Sequence, residues 1–349
     1  MTRSTLSSIG PVDLVGAAFH LPLFSLVVAS LIVAAALVAA RLRDGHEPAA
    51  PRAEAVPHSV AARYLPERRA LGVGAIAVIV VFAFENVVRG YVLNLADIVE
   101  WWQYATPVFA AFLCLTVVLG LVVFRGTTPP EQPVVPTARR TWTSFGPRAG
   151  IIGAGVALVA LLVTTIAAGL ASSADERGRF IYLEIPVPNT AIDPLRPWFY
   201  GWSFGVPVIV CLAALTVVTW ATLRSNAVRP FLRPESVSAE QSARHDVASG
   251  AVRIATAGLL LALGGACRFI ARAGSMSQLT TTDAEGRSGS YETTWRYAEF
   301  AVAGGWFAPA LEITAFALLL LVASRPRWTP ALERSAQPTD RKPDVEAVQ

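Results

Sequence analysis

The sequence predicts an all-α polytopic membrane protein of seven transmembrane helices, one leading helix followed by three tandem parallel helical hairpins. Three observations predict it. Of 349 residues, 54% are hydrophobic and only 15% charged, with a mean hydropathy of +0.49, against about 25% charged in soluble domains. Seven charge-poor runs approach the roughly 20 apolar residues that cross a bilayer core about 30 Å thick. A Trp-x-Tyr pattern recurs at intervals of 96 and 97 residues.

The runs place spans at about 21–40, 70–88, 104–124, 149–171, 199–223, 251–270 and 301–324, preceded by an external segment 1–20 and followed by a polar tail 325–349. Lipid offers the backbone no partner, so each run is expected to be a helix. The first run is 20 residues long, follows only Arg3 and precedes Arg41 and Arg43, which suits a retained span better than a signal peptide. Arg52–Glu67 and Thr127–Pro136, rich in Pro, Ala, Arg and Glu, read as flexible linkers. Phe180–Ile185 is β-rich and precedes Pro186, which predicts a short strand. The segment Arg272–Glu299 is rich in Ser, Thr and Gly, and neither loop is large enough for an independent domain.

Orientation follows from the basic residues, which are 28 Arg and one Lys, Lys342. Segments 41–69, 125–148, 224–253 and 325–349 carry 20 of the 29, which predicts a cell-membrane protein, as in a bacterial inner membrane, with its N-terminus outside and C-terminus in the cytoplasm. These basic segments suit anionic lipid or a separate cytoplasmic subunit, although topology signalling alone accounts for them.

The three patterns are Trp102-Gln103-Tyr104, Trp198-Phe199-Tyr200 and Trp295-Arg296-Tyr297, each before an inward-running helix closed by Arg125, Arg224 or Arg325. An interfacial aromatic belt explains their depth, and a parallel repeat explains their spacing as well.

Polar residues inside spans are the candidates for chemistry. Glu312 lies near the middle of the last span, where an ionised carboxylate costs at least about 2.5 kcal/mol unless paired, protonated or facing water. Glu85 and Asn86 lie in the outer part of the second span, and Glu85 has the i, i+4 spacing to Arg89 that suits a local ion pair. Arg268 either snorkels to the surface or reaches sideways to Glu312 or Glu85. These four, with Trp102, Tyr104, Trp198, Tyr200, Trp295 and Tyr297, form the candidate binding set; carboxylates beside aromatic faces suit sugars, amines or lipid headgroups.

Other classes are disfavoured. With its only Lys in the tail, a Schiff base within the bundle is excluded; only His20 of four His is near a span, so no haem or metal cofactor is expected. Cys114, Cys211 and Cys267 are scattered in spans, and no phosphate-cradling loop is present. Gly72, Gly74, Gly150, Gly153, Gly155, Gly264 and Gly265 suit close helix packing. The leading expectation is a membrane protein that binds or moves a small molecule or lipid through an outward-facing polar pocket. The rivals are a non-transporting sensor or scaffold with cytoplasmic partners and, more weakly, a transferase acting on lipid-linked substrates. Nucleic acid is not an expected partner.

Overall fold

The structure, a computed structural model, describes residues 23–44, 58–87, 100–126, 141–187, 193–276, 278–282, 288–292 and 294–324. Within these, seven helices are long and apolar enough to cross a membrane. They are α1 (Phe24–Asp44), α2 (His58–Val87), α3 (Thr106–Gly126), α4 (Arg148–Ala171), α5 (Trp202–Val228), α6 (Val237–Gly274) and α7 (Ala298–Ala323). All but the central α6 leave large apolar side chains exposed, among them Leu31, Ile76, Val117, Ile152, Val210 and Phe300, as expected of a surface solvated by lipid. The chain is therefore an all-α multi-pass integral membrane protein.

Two spans differ from their sequence expectation. α2 starts at His58 rather than near Ala70, so the part of Arg52–Glu67 from residue 58 onward is helix and not linker. The reason is tertiary: Val60, Tyr64 and Glu67 are buried, continuing at three- and four-residue spacing into Leu71, Ala75 and Val78. Packing along that stripe offsets the interior Pro66, which cannot donate to the helix ladder. α6 likewise begins at Val237, after a short 3-10 turn at Pro234–Ser236, and not at Ala251. Its 38 residues extend about 57 Å, well beyond a bilayer core. Thr127–Pro136, Arg89, His20, the segment 1–20 and the tail 325–349 lie outside the described residues.

α6 is the hub, packing against α2, α3, α4, α5 and, most extensively, α7. α3 packs on α2 and α5, α4 on α5, and α1 on α7. Close approach between α6 and α7 depends on Gly264: a Cβ there would stand 3.1 Å from Glu312 Cγ and 3.3 Å from the Ala308 carbonyl. Gly74 packs on Cys114, Gly150 on Pro147 and Val252, and Gly265 on Tyr104, but Gly72, Gly153 and Gly155 face open space, so close packing does not explain those three.

The ends of the bundle differ in construction. At one, here the strand end, β1 (Ser173–Ala174) pairs antiparallel with β2 (Phe180–Tyr182), and β3 (Gln278–Thr282) with β4 (Ser288–Glu292). The expected strand at Phe180–Ile185 is thus partly formed; bridges from Tyr182 to Trp198 and from Ile185 to Leu195 extend it, with Ile181, Leu183 and Ile185 turned into the core. The β1–β2 turn is held by Asp175, whose carboxylate accepts from the Arg177 and Arg179 amides, while Gly178 supplies a positive φ of 77°. Burial pushes the Asp175 carboxyl up, but the hydrogen bonds from Arg179 and Arg177 outweigh it and hold the group below its ordinary range. The other, here the arginine end, gathers Arg63, Arg68, Arg125, Arg148, Arg224, Arg229 and Arg244.

Candidate functional site

α7 carries Glu312 at mid-length with only 6% of its surface exposed. Arg268 of α6 meets it in a two-pronged pair: Nε donates to Oε1 at 2.6 Å and Nη2 to Oε2 at 2.8 Å. The Ser25 hydroxyl of α1 donates to Oε2 at 2.6 Å, so three helices converge on one carboxylate. The fork geometry gives this pair directional strength that a lysine could not supply. The Arg268 side chain stays 37% exposed while the Glu312 side chain is 8% exposed, so the cation partly bridges the interior and the bundle surface.

Glu85, near the end of α2, is buried and accepts from the Thr106 hydroxyl at 3.5 Å. Phe82 meets Phe316 edge to face at 5.3 Å. Because α2 and α7 run oppositely, Glu85 and Glu312 both stand about one turn toward the strand end of that contact. Asn86 is exposed and donates to the Phe82 carbonyl of its own helix, so it does not join the group.

The aromatic candidates separate into three environments. Tyr104 stacks on Phe269 at 5.3 Å and meets Tyr200 edge-on at 5.3 Å. Tyr200 is fully buried, its hydroxyl 3.3 Å from that of Thr165. Trp102 and Trp198 are exposed, the latter against Tyr182, whereas Trp295 packs between Phe199 and Tyr297. Each Trp-x-Tyr stands immediately before a helix, yet only two of the three tyrosines touch one another.

Trp295 and Tyr297 border a cavity of about 880 Å³ at the strand end. Val163, Ala167 and Leu170 of α4 form one wall, Phe300 and Gly304 of α7 the other, and Cys267 and Ile270 of α6 the floor. Glu184, Arg296 and Tyr297 supply polar groups at its strand-end rim, and Leu170 and Phe300 are strongly exposed beside it. Its volume lies within the range of about 300–1,000 Å³ typical of small-molecule sites. Neither Glu312 nor Arg268 lines it.

The arginine end holds a buried polar cluster that the span-by-span reading misses. Arg229 donates to Glu67 at 3.0 Å, both side chains almost wholly buried, and also to the Arg125 carbonyl at 3.1 Å. Arg244, fully buried, donates to the Tyr64 hydroxyl at 3.1 Å and the Pro230 carbonyl at 3.0 Å, and its guanidinium lies 4.1 Å from the Phe231 ring centre. Glu240 accepts from the Leu232 amide at 2.8 Å and from Ser236 at 3.0 Å, with Tyr64, Arg63 and Arg244 at 3.4 to 3.5 Å. Arg68 pairs with Asp246 nearby. The missed signal was the apolar stripe of α2, which keeps its period through Tyr64 and Glu67, together with the i, i+4 spacing of Glu240 and Arg244.

Among the described residues no group of three or more His, Cys, Asp or Glu converges as a metal site. The fold and these polar centres define a class, the polytopic helical membrane proteins with charge pairs sealed between helices. Comparison with known protein families, with curated proteins and with solved structures finds no match to this chain.

Proposed function

We propose that this protein binds an amphiphilic ligand, a lipid or a small lipophilic molecule, in the strand-end cavity between α4 and α7. The observation that carries the reading is the cavity itself: an apolar trough of about 880 Å³ whose polar groups gather at one end around Glu184, Arg296 and Tyr297. That distribution suits a molecule with an apolar body and a polar head, and the exposed side chains beside the trough suit entry from the bilayer. In this reading Trp295 and Tyr297 touch the ligand, while Glu312, Arg268 and Ser25 join helices and hold the α6 floor against α7. The excess of basic residues at the other end favours an external strand end, which puts the cavity in the outer leaflet of the cell membrane.

The test is native mass spectrometry of the full chain released from nanodiscs made with host-membrane lipid extract. Ala167 is exposed and lines the trough, so Ala167→Trp fills it without entering the core. The wild-type chain is expected to retain a lipid or lipophile that Ala167→Trp loses at unchanged thermal stability. Equal retention by both forms overturns the reading.

A further inference from the structure

A second trough lies on the other half of α4, at the arginine end. It holds about 210 Å³, with α4 (Ile151, Gly155) and α5 (Leu215, Trp220) as walls and α6 (Val252, Leu259) as floor. Its only polar side-chain atoms other than the indole N–H groups of Trp142 and Trp220 are the hydroxyls of Thr216 and Thr219. Both are already committed, donating to the Leu212 carbonyl at 2.8 Å and the Leu215 carbonyl at 2.6 Å. Nothing inside the trough is left to recognise a polar ligand, so its chemistry is that of a hydrocarbon chain.

Its arginine end is the opposite. Arg148 stands three residues before Ile151 on α4, and Arg224 stands four after Trp220 on α5. Helical spacing therefore sets each on the trough's face, one turn beyond its apolar lining. The Arg224 guanidinium lies 5.1 Å from the Trp220 ring centre, and both arginines are exposed. Among the described residues neither makes an ion pair, whereas Arg68, Arg229 and Arg244 at the same end are all matched to carboxylates. Trp142 and Trp220 are part-exposed at the mouth, where indole rings sit at a membrane interface. Two cations with no carboxylate partner among the described residues, closing an apolar trough, complement a phosphate with an acyl tail.

We propose that this trough is a binding site for one anionic glycerophospholipid, its acyl chain lying against Trp220 and its phosphate held between Arg148 and Arg224. The site is independent of the strand-end cavity and lies in the opposite leaflet. Each arginine near the phosphate favours the anionic headgroup by about fivefold.

The full chain is placed in nanodiscs of phosphatidylcholine and phosphatidylglycerol, with dibrominated acyl chains on one lipid at a time. The Trp220 contribution is read as the fluorescence difference between the wild-type chain and Trp220→Phe. Brominated phosphatidylglycerol is expected to quench it at a mole fraction at least about fivefold lower than brominated phosphatidylcholine. Arg148→Gln with Arg224→Gln should abolish that preference, while Arg41→Gln with Arg43→Gln, on α1, should keep it. Gly155 faces open space, so Gly155→Leu fills the trough without strain and should remove the quenching advantage with both arginines present. Helical circular dichroism checks the fold of every variant. Equal quenching by the two lipids in the wild-type chain, an unchanged preference in Gly155→Leu, or an equal loss in the α1 variant overturns the proposal. The last outcome would mean diffuse attraction to a basic surface.

Discussion

Two acid–arginine centres hold this bundle together, and they are built differently. At the arginine end, Glu67 and Arg229 share their surroundings with Tyr64, Arg63, Glu240 and Arg244, and Arg229 also grips the Arg125 carbonyl. Arg229, Glu240, Arg244 and Tyr64 each have more than one partner, whereas Glu67 meets Arg229 alone and its Oε2 is buried with no hydrogen bond among the described residues. In mid-bundle, Glu312 and Arg268 form a self-contained fork whose two carboxylate oxygens receive three donors. A polar network needs several segments at once and suits an end of the bundle, where α2 and α6 run past the apolar spans. In the apolar middle, where an unmatched charge is most costly, one saturated pair is the economical arrangement.

The contrast can be broken by substitution. The largest effect is expected from Arg244→Ala, which removes the cation from between Tyr64, Glu240, Phe231 and the Pro230 carbonyl. A loss of about 3–5 kcal/mol is expected, read as a fall in thermal midpoint in detergent. No single compensating change should restore it, because its partners belong to different segments; recovery by Glu240→Gln alone would show that the cluster is one pair and not a network.

Glu312→Leu should cost a similar or slightly smaller amount by leaving Arg268 without its carboxylate. Here a second change should rescue: Glu312→Leu with Arg268→Met is expected to return most of the stability, since the pair has few other obligations. A double variant as unstable as the single one would show that this pair is tied into a wider network. Glu312→Gln, which keeps the shape of the side chain and removes its charge, serves as the milder companion.

Ser25→Ala is the smallest of the three. It deletes one donor to a carboxylate that keeps two others, for an expected loss of about 1–2 kcal/mol. The same variant reports on how α1 is held, because α1 packs on α7. Faster hydrogen exchange confined to α1 would agree; exchange rising equally in α6 would mean that the serine supports the Arg268 fork itself.

Much of this was legible in the sequence. Seven charge-poor runs specify seven helices because a bilayer allows little else, and Glu312 stands out because a carboxylate in mid-span needs a partner. Of the two arrangements open to Arg268, the sideways one is present. The aromatic pattern was legible as spacing but not as packing: Tyr104 and Tyr200 meet while Tyr297 lies apart, a distinction made by which helices are neighbours. The arginine-end cluster is not legible in the sequence because a charge at the end of an apolar run marks the span's end equally well whether it is buried or solvated. Glu67 and Arg244 are as buried as any leucine in the core, and hydropathy has no means of registering that.

The sequence by itself determined what lipid demands of a chain: helix number, helix type and the few positions where a charge is expensive. Each of these depends on a local sum over about 20 residues against one solvent. Only the tertiary structure decided which charges find each other, as with Ser25 and Glu312, 287 residues apart. It also decided where packing stops, leaving one trough on each half of α4. Those outcomes depend on distances between elements, and no local property of the chain encodes them.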